Sequence, residues 1–220
     1  MRQPSRLLTN GRVAVLVVLA ILLIDQIIKI WVKTSMTLHE SIQITDWFYI
    51  AFIENNGMAF GMQLGSKIVL SLFRVAAIAL LGYYIWLQCR KKVRIGYLIC
   101  LSMVLAGAAG NLIDCMFYGL VFNNSSEFYQ SYFVPFGTGY APFLMGKVVD
   151  MFYFPLIETE WPLWMPFVGG EHFVFFSPVF NFADSSISVG VVLLLLFYRV
   201  EISQISIKKK APVEEPVSEA

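Results

Sequence analysis

Two aspartates, Asp150 and Asp184, carry the strongest chemical signal in this sequence. Asp184 closes the stretch Phe180-Asn181-Phe182-Ala183-Asp184, at the mouth of an apolar run from Ile187 to Tyr198. An ionisable side chain beside lipid is costly, so it marks a candidate functional site and calls for a partner. Asp150, in Lys147-Val148-Val149-Asp150, is the best-placed partner. Two carboxylates held close cannot both ionise cheaply: one pKa rises, the other falls, and the pair shares a proton near neutrality. The ionised member can take a proton from water while the protonated member donates to the carbonyl oxygen of a peptide bond. The chemistry implied is hydrolysis by a carboxylate pair, without a covalent intermediate.

The elements that must position this pair are membrane helices. The chain has 220 residues, 58% hydrophobic and 14% charged, against about 25% charged in ordinary soluble domains. A soluble fold could not hide that much apolar surface. The fold class expected is an all-α polytopic membrane protein with one domain over residues 1–200. Four transmembrane helices are predicted, at about 13–32, 68–87, 95–113 and 182–200, since about 20 residues span the hydrocarbon. Residues 34–65 alternate and turn at Asn55-Asn56-Gly57, which predicts short strands at the membrane surface. Residues 120–181 are irregular and aromatic-rich, and Trp161, Trp164 and Phe167 suit an interfacial piece. Residues 201–220 read as a polar, disordered tail.

Lys and Arg crowd the N-terminus, the loop after the second helix and the tail, whereas residues 34–65 hold none and residues 120–181 hold only Lys147. The positive-inside rule puts both termini in the cytoplasm. Asp25 and Lys29, four apart on one helix face, then lie near the outer end of the first helix. Asn111 and Asp114 share that depth on the third helix, as do Asn181 and Asp184 on the fourth. Asn55 and Asp150 belong to outer segments. Apart from Arg74, the unusual polar residues converge beside the outer leaflet.

Each of these residues also has a plain structural reading. Asp184 suits an N-cap; Asp114 can pair with Lys29 or Arg74; Asn111 can bind helices together; Asn55-Asn56-Gly57 can be only a turn. Cys89, Cys100 and Cys115 show no metal or disulfide spacing, and His39 and His172 lack companion ligands. No nucleophile elbow, phosphate loop or nucleic-acid signal is present.

Five motifs resemble the bacterial lipoprotein signal peptidases, also called signal peptidase II. They are Asp25-Gln26-Ile27-Ile28-Lys29, Asn55-Asn56-Gly57-Met58-Ala59-Phe60, Ala106-Gly107-Ala108-Ala109-Gly110-Asn111-Leu112-Ile113-Asp114, Val148-Val149-Asp150 and Phe180-Asn181-Phe182-Ala183-Asp184-Ser185. The resemblance covers residues 13–200. It implies removal of signal peptides from prolipoproteins, just before a diacylglyceryl-modified cysteine. It implies Asp150 and Asp184 as catalytic pair, with Asn55, Gly57, Asn111, Asp114, Asn181, Asp25 and Lys29 supporting the site. It further implies four transmembrane helices, a small β-cradle and an interfacial helix on the outer side of the bacterial inner membrane. A monomer without metal or other cofactor, inhibited by the cyclic peptide globomycin, completes the expectation. Where the family has Asp-Arg, this chain has Asp114-Cys115, with Arg74 as a substitute for the arginine. Residues 122–145 form an insertion.

Two other classes remain. A proton-coupled transporter also places acids within a helix bundle, but here they sit at one depth and no inverted repeat is visible. A non-catalytic membrane scaffold would tolerate asparagine at both Asp150 and Asp184.

Overall fold

The computed structural model describes residues 6–56, 67–91, 93–175 and 177–203. Gly57 and residues 204–220, on which a supporting role and a disordered tail were expected, lie outside the described residues. Three helices are long and apolar enough to cross a membrane: α1 (Arg6–Ser35), α2 (Lys67–Cys89) and α3 (Ile95–Ile113). A π-helical turn, Asp114–Tyr118, and α4 (Gly119–Val121) extend α3. α5 (Phe182–Phe197) is equally apolar but has 16 residues, about 24 Å at 1.5 Å per residue. The short α6 (Arg199–Ser203) follows it. The chain is a multi-pass membrane protein of three to four apolar helices.

α3 is the central helix, packed against α1, α2 and α5. Its small residues permit that closeness, as packing without a hydrophobic drive requires. A Cβ on Gly107 would collide with the Ala183 carbonyl oxygen and come within 2.6 Å of Ile187 Cγ1. A Cβ on Gly110 would lie 2.7 Å from an Asp25 carboxylate oxygen. These glycines therefore set how near α1 and α5 come to α3.

On the helices sits a four-stranded antiparallel sheet in the order β1 (Ser41–Thr45), β2 (Phe48–Asn55), β3 (Val148–Tyr153) and β6 (Val179–Phe180). The alternation at Ile42-Gln43-Ile44-Thr45 is β1. β4 (Ile157–Glu160) and β5 (His172–Phe175) form a separate hairpin. Among the described residues from 122 to 181 the regular structure is β3, the β4–β5 hairpin and β6 joined by turns, and no helix is present where an interfacial helix was expected. Pro162, Pro166, Gly169 and Gly170 break that stretch, and Gly170 takes a positive φ that a side chain would resist.

Asn55 pairs with Val148, and Ile53 with Asp150, so strand alternation puts Asn55, Val148 and Asp150 on one face. Phe52, Glu54, Val149 and Met151 occupy the other, where Phe52, Val149 and Met151 pack on Val32, Met36, Tyr118 and Phe122. Within this back-face core Lys33 is fully buried. Its ammonium is 2.6 Å from Glu54 and 2.8 Å from Ser125 Oγ, ringed by Phe52, Phe122 and Tyr140 at 5.2–5.7 Å. Lys147 holds the second Glu54 oxygen at 2.8 Å. Burial alone would raise the Glu54 pKa, but Lys33 and hydrogen bonds from Lys147, Lys33 and Ser125 outweigh it and lower it. Residues 122–145 thus supply Ser125, Phe122 and Tyr140 to the floor beneath the strands that carry Asn55 and Asp150. Their backbone is tied down as well, through Leu38 N to Ser126 O at 2.8 Å and Val134 N to Val121 O at 2.9 Å.

Breaking a buried ion pair by deleting one partner costs about 3–5 kcal/mol, whereas replacing both with apolar groups is nearly neutral. Lys33→Met is expected to lower the melting temperature by about 10 °C, and Lys33→Met/Glu54→Leu to recover most of that loss. Equal melting temperatures for the single and double variants would contradict this account of the floor.

Candidate active site

The site is built around the C-terminal half of α1. Asp25 and Lys29 face α3 and are both fully buried. The Lys29 ammonium lies 3.0 Å from Asp25, 2.8 Å from Asp114 and 2.8 Å from Asn111 Oδ1. The Asp25 carboxylate also accepts the Ala183 backbone N–H at 2.9 Å, which fixes the start of α5 against α1. Gln26 donates to Asp114 at 2.9 Å and to Asp25 at 3.1 Å, and accepts from the Tyr118 hydroxyl at 3.1 Å. Asp114 accepts from Val149 N at 3.4 Å, a long bond joining α3 to β3. Asp114 therefore pairs with Lys29 and not with Arg74.

Lys29 also orients an asparagine. An ammonium only donates, so the Asn111 carbonyl oxygen must face it and the Asn111 amide must face away. That amide donates to Asp184 Oδ1 at 2.7 Å. Asn181 donates to Asn111 Oδ1 at 3.1 Å and to Asp150 Oδ1 at 2.6 Å. Asn55, from β2, donates to Asp150 Oδ2 at 3.2 Å. Asp150 and Asp184, on different elements 34 positions apart in sequence, are thus joined through two asparagines.

The local sequence explains both placements. β6 pairs with β3 through Phe152 and Phe180, which carries Asn181 to the side of Asp150. Asn181 then begins α5 as its N-cap: its side chain accepts from Asp184 N at 2.9 Å, and Asp184 Oδ2 accepts from Asn181 N at 3.3 Å. This reciprocal capping box satisfies two otherwise orphaned N–H groups. The N-cap is thus Asn181; Asp184, at the third helical position, closes the capping box with one oxygen while the other faces Asn111. Capping and site-building are compatible roles here.

The carboxylates differ in surroundings. Asp150 is 3% exposed and Asp184 half-buried. Burial, then the charge of Asp184, push the Asp150 pKa up to about 7; hydrogen bonds from Asn55 and Asn181 oppose the rise. A second asymmetry lies beside Asp114. Arg74, half-buried on α2, donates to the Cys115 thiol at 3.3 Å. Arg74 therefore joins the other polar residues at this level instead of standing apart from them.

Of the residues singled out in the sequence, Asp25, Lys29, Asn55, Asn111, Asp114, Asp150, Asn181 and Asp184 fall into one connected network. Gln26, Lys33 and Ser125 were not anticipated. Gln26 carried a usable signal, being an amide inside a membrane helix. Lys33 and Ser125 lie 92 positions apart, and nothing local announces that they meet.

The signal peptidase (SPase) II family matches residues 17–200. The chain belongs to the signal peptidase II family. The lipoprotein signal peptidase of Porphyromonas gingivalis is 50% identical over 204 residues, which are 92% of this chain and 90% of the relative. That of Amoebophilus asiaticus is 35% identical over 195 residues, 86% of this chain and 78% of the relative. A solved bacterial membrane enzyme, determined by the in meso method at 2.3 Å resolution, has the same fold. Its TM-score is 0.56 at 22% identity, over 92% of this chain and 94% of that one. Signal peptidase II proteins are peptidases, which fits a site built of carboxylates and amides.

A raised Asp150 pKa makes stability depend on pH. The folded state holds a proton that the unfolded chain, with the ordinary value of 3.8, has released, so stability falls as pH climbs from about 4 to about 7. Asp150→Asn removes this loss. The variant is expected to melt several °C above the parent at pH 8 and level with it near pH 4. A parent–variant difference independent of pH would contradict the raised pKa.

Proposed function

We propose that this chain removes signal peptides from diacylglyceryl-modified prolipoproteins, cleaving just before the lipid-bearing cysteine by an aspartyl mechanism. The observation that carries the proposal is the pairing of Asp150 with Asp184 through Asn181 and Asn111. Asp150, with its pKa near 7, holds the shared proton at neutral pH. Asp184, the more open carboxylate, takes a proton from water as the water oxygen attacks the scissile carbonyl. Asp150 gives its proton to the carbonyl oxygen, leaving a gem-diol. The diol then collapses: the C–N bond breaks, Asp184 protonates the departing amine, and Asp150 recovers a proton from a diol hydroxyl. Asn111 and Asn181 hold both carboxylates at each stage. Charge–amide hydrogen bonds in a dry site are stronger than in water.

The charge distribution supports four spans with both termini in the cytoplasm of the inner membrane, and a site near the outer leaflet. There the substrate's acyl chains remain in lipid while its peptide bond meets the polar network. Arg74 offers substrate carbonyls the guanidinium that the family carries beside Asp114. Monomeric action, freedom from metal and inhibition by globomycin belong to the same reading.

The test is cleavage by the purified protein of a diacylglyceryl-modified prolipoprotein and of its unlipidated form. Only the lipidated form is expected to be cut. Asp150→Asn and Asp184→Asn are each expected to lower kcat by about 10²–10⁴. Arg74→Ala is expected to raise KM with kcat near that of the parent. The rate should fall as pH rises above about 7, where Asp150 loses its proton. Intact lipidated substrate with folded parent protein would overturn the function; full activity of Asp150→Asn would overturn the pair.

A further inference from the structure

We infer that a cleft between α1, α2 and α3, on the side of the molecule away from the carboxylates, binds one anionic glycerophospholipid of the cytoplasmic leaflet. The cleft has a volume of about 460 Å³, within the range of about 300–1,000 Å³ typical of ligand sites. Its walls are apolar: Val15, Val18 and Leu19 of α1, Gly82 and Ile85 of α2, and Leu105 of α3. Glycine opens it. A Cβ added at Gly11 or at Gly82 would meet nothing within 4 Å. α1 and α2 touch only sparsely, whereas each packs more fully on α3.

Length and charge identify the occupant. From Gly11 to Leu19 the cleft follows α1 for about 12 Å. One leaflet of hydrocarbon is about 15 Å deep. The site therefore begins at one interface and ends near the bilayer centre, as an acyl chain does. Arg90 stands at its mouth, its guanidinium 3.7 Å from the Trp86 ring centroid. Among the described residues Arg90 makes no ion pair, while its neighbour Arg94 is 3.6 Å from Glu201. A guanidinium stacked on an indole keeps its N–H edge free for a phosphate. Arg12, Lys91 and Arg94 add positive charge at this end of the helices, which favours a net-negative headgroup over a zwitterionic one.

A third feature points the same way. Ser102 is fully buried on the lining of the cleft, and its hydroxyl is the buried side-chain polar atom without a hydrogen-bond partner among the described residues. An unsatisfied donor in a dry interior is costly. A glycerophospholipid offers what the cleft lacks: an ester carbonyl for Ser102, a chain for the apolar walls and a phosphate for Arg90. The inference rests on the topology proposed above, with this end of the bundle cytoplasmic. It does not rest on the peptidase chemistry.

The experiment uses the full chain, purified in detergent and stripped of lipid, with melting temperature and native mass spectrometry as readouts. Phosphatidylglycerol, about a hundredfold above its Kd, is expected to raise the melting temperature by about 5 °C or more and to appear as a single bound lipid. Phosphatidylcholine should give a clearly smaller shift. Arg90→Ala should reduce the phosphatidylglycerol shift to the phosphatidylcholine level. Gly82→Phe, whose ring has open space to enter, should abolish both shifts while the variant still cleaves lipidated substrate. Equal shifts in all three proteins, or none in the parent, would overturn the site. A higher KM for peptide in Gly82→Phe with no lipid effect would overturn it in favour of a signal-peptide helix in the cleft. Failure of the peptidase reading would show separately, as an absence of cleavage by a protein that binds lipid.

Discussion

A single buried ammonium organises this molecule. Lys29 has no exposed surface and lies within 3.0 Å of two carboxylates and one amide oxygen. Alone, any of these charges would be prohibitively costly at this position in a membrane protein. Together they satisfy one another and tie α1 to α3. Asp25 extends the tie to α5 through Ala183, and Asp114 extends it to β3 through Val149. By claiming the Asn111 oxygen, Lys29 also fixes which way that amide points. Asp184 receives its N–H as a consequence. Removing Lys29 would strand two buried carboxylates and release the asparagine at once.

The two carboxylates of the site are treated unequally by the fold. Asp150 lies on a strand, on the face turned away from the aromatic core around Lys33, where Asn55 and Asn181 hold its carboxylate and it is buried. Asp184 lies at a helix start, a position that already favours a negative charge and leaves it partly open. The same asparagine, Asn181, caps the helix and holds the strand aspartate. In the proposed mechanism, dry surroundings suit Asp150 to hold a proton and an open helix end suits Asp184 to accept one. The burden falls on stability, since an acid held neutral by burial opposes folding above its ordinary pKa.

Much of this was legible in the sequence because it was local. Asp25 and Lys29 announce themselves by spacing, the strands by alternation around a turn, and the helices by apolar length. The small-residue run before Asn111 is a pattern that suits close helix packing. The convergence of polar residues at one depth followed from charge asymmetry and helix direction alone. What the sequence concealed was long-range or ambiguous. Nothing in the local sequence marks Lys33, and only folding brings Glu54, Ser125 and three rings around it. The aromatic stretch near Trp161 suits any interfacial element, and its prolines and glycines, which favour a hairpin, were outweighed by composition. Residues 122–145 gave no periodic signal because turns and loop-to-helix hydrogen bonds hold them, not repeating structure. Arg74 seemed isolated because its partner is a thiol, a weak acceptor that no charge pattern reveals.

The measurement that bears most directly on the coupled pair is the carboxyl ¹³C chemical shift of Asp150, followed by NMR as a function of pH in the parent and in Asp184→Asn. Burial and the charge of Asp184 together set the Asp150 pKa at about 7. The parent resonance should therefore titrate near neutrality. Removing the Asp184 charge should move the titration to lower pH without returning it to 3.8, because burial remains the larger cause. A parent Asp150 that titrates near 3.8, or one indifferent to Asp184→Asn, would contradict a shared proton between these two aspartates.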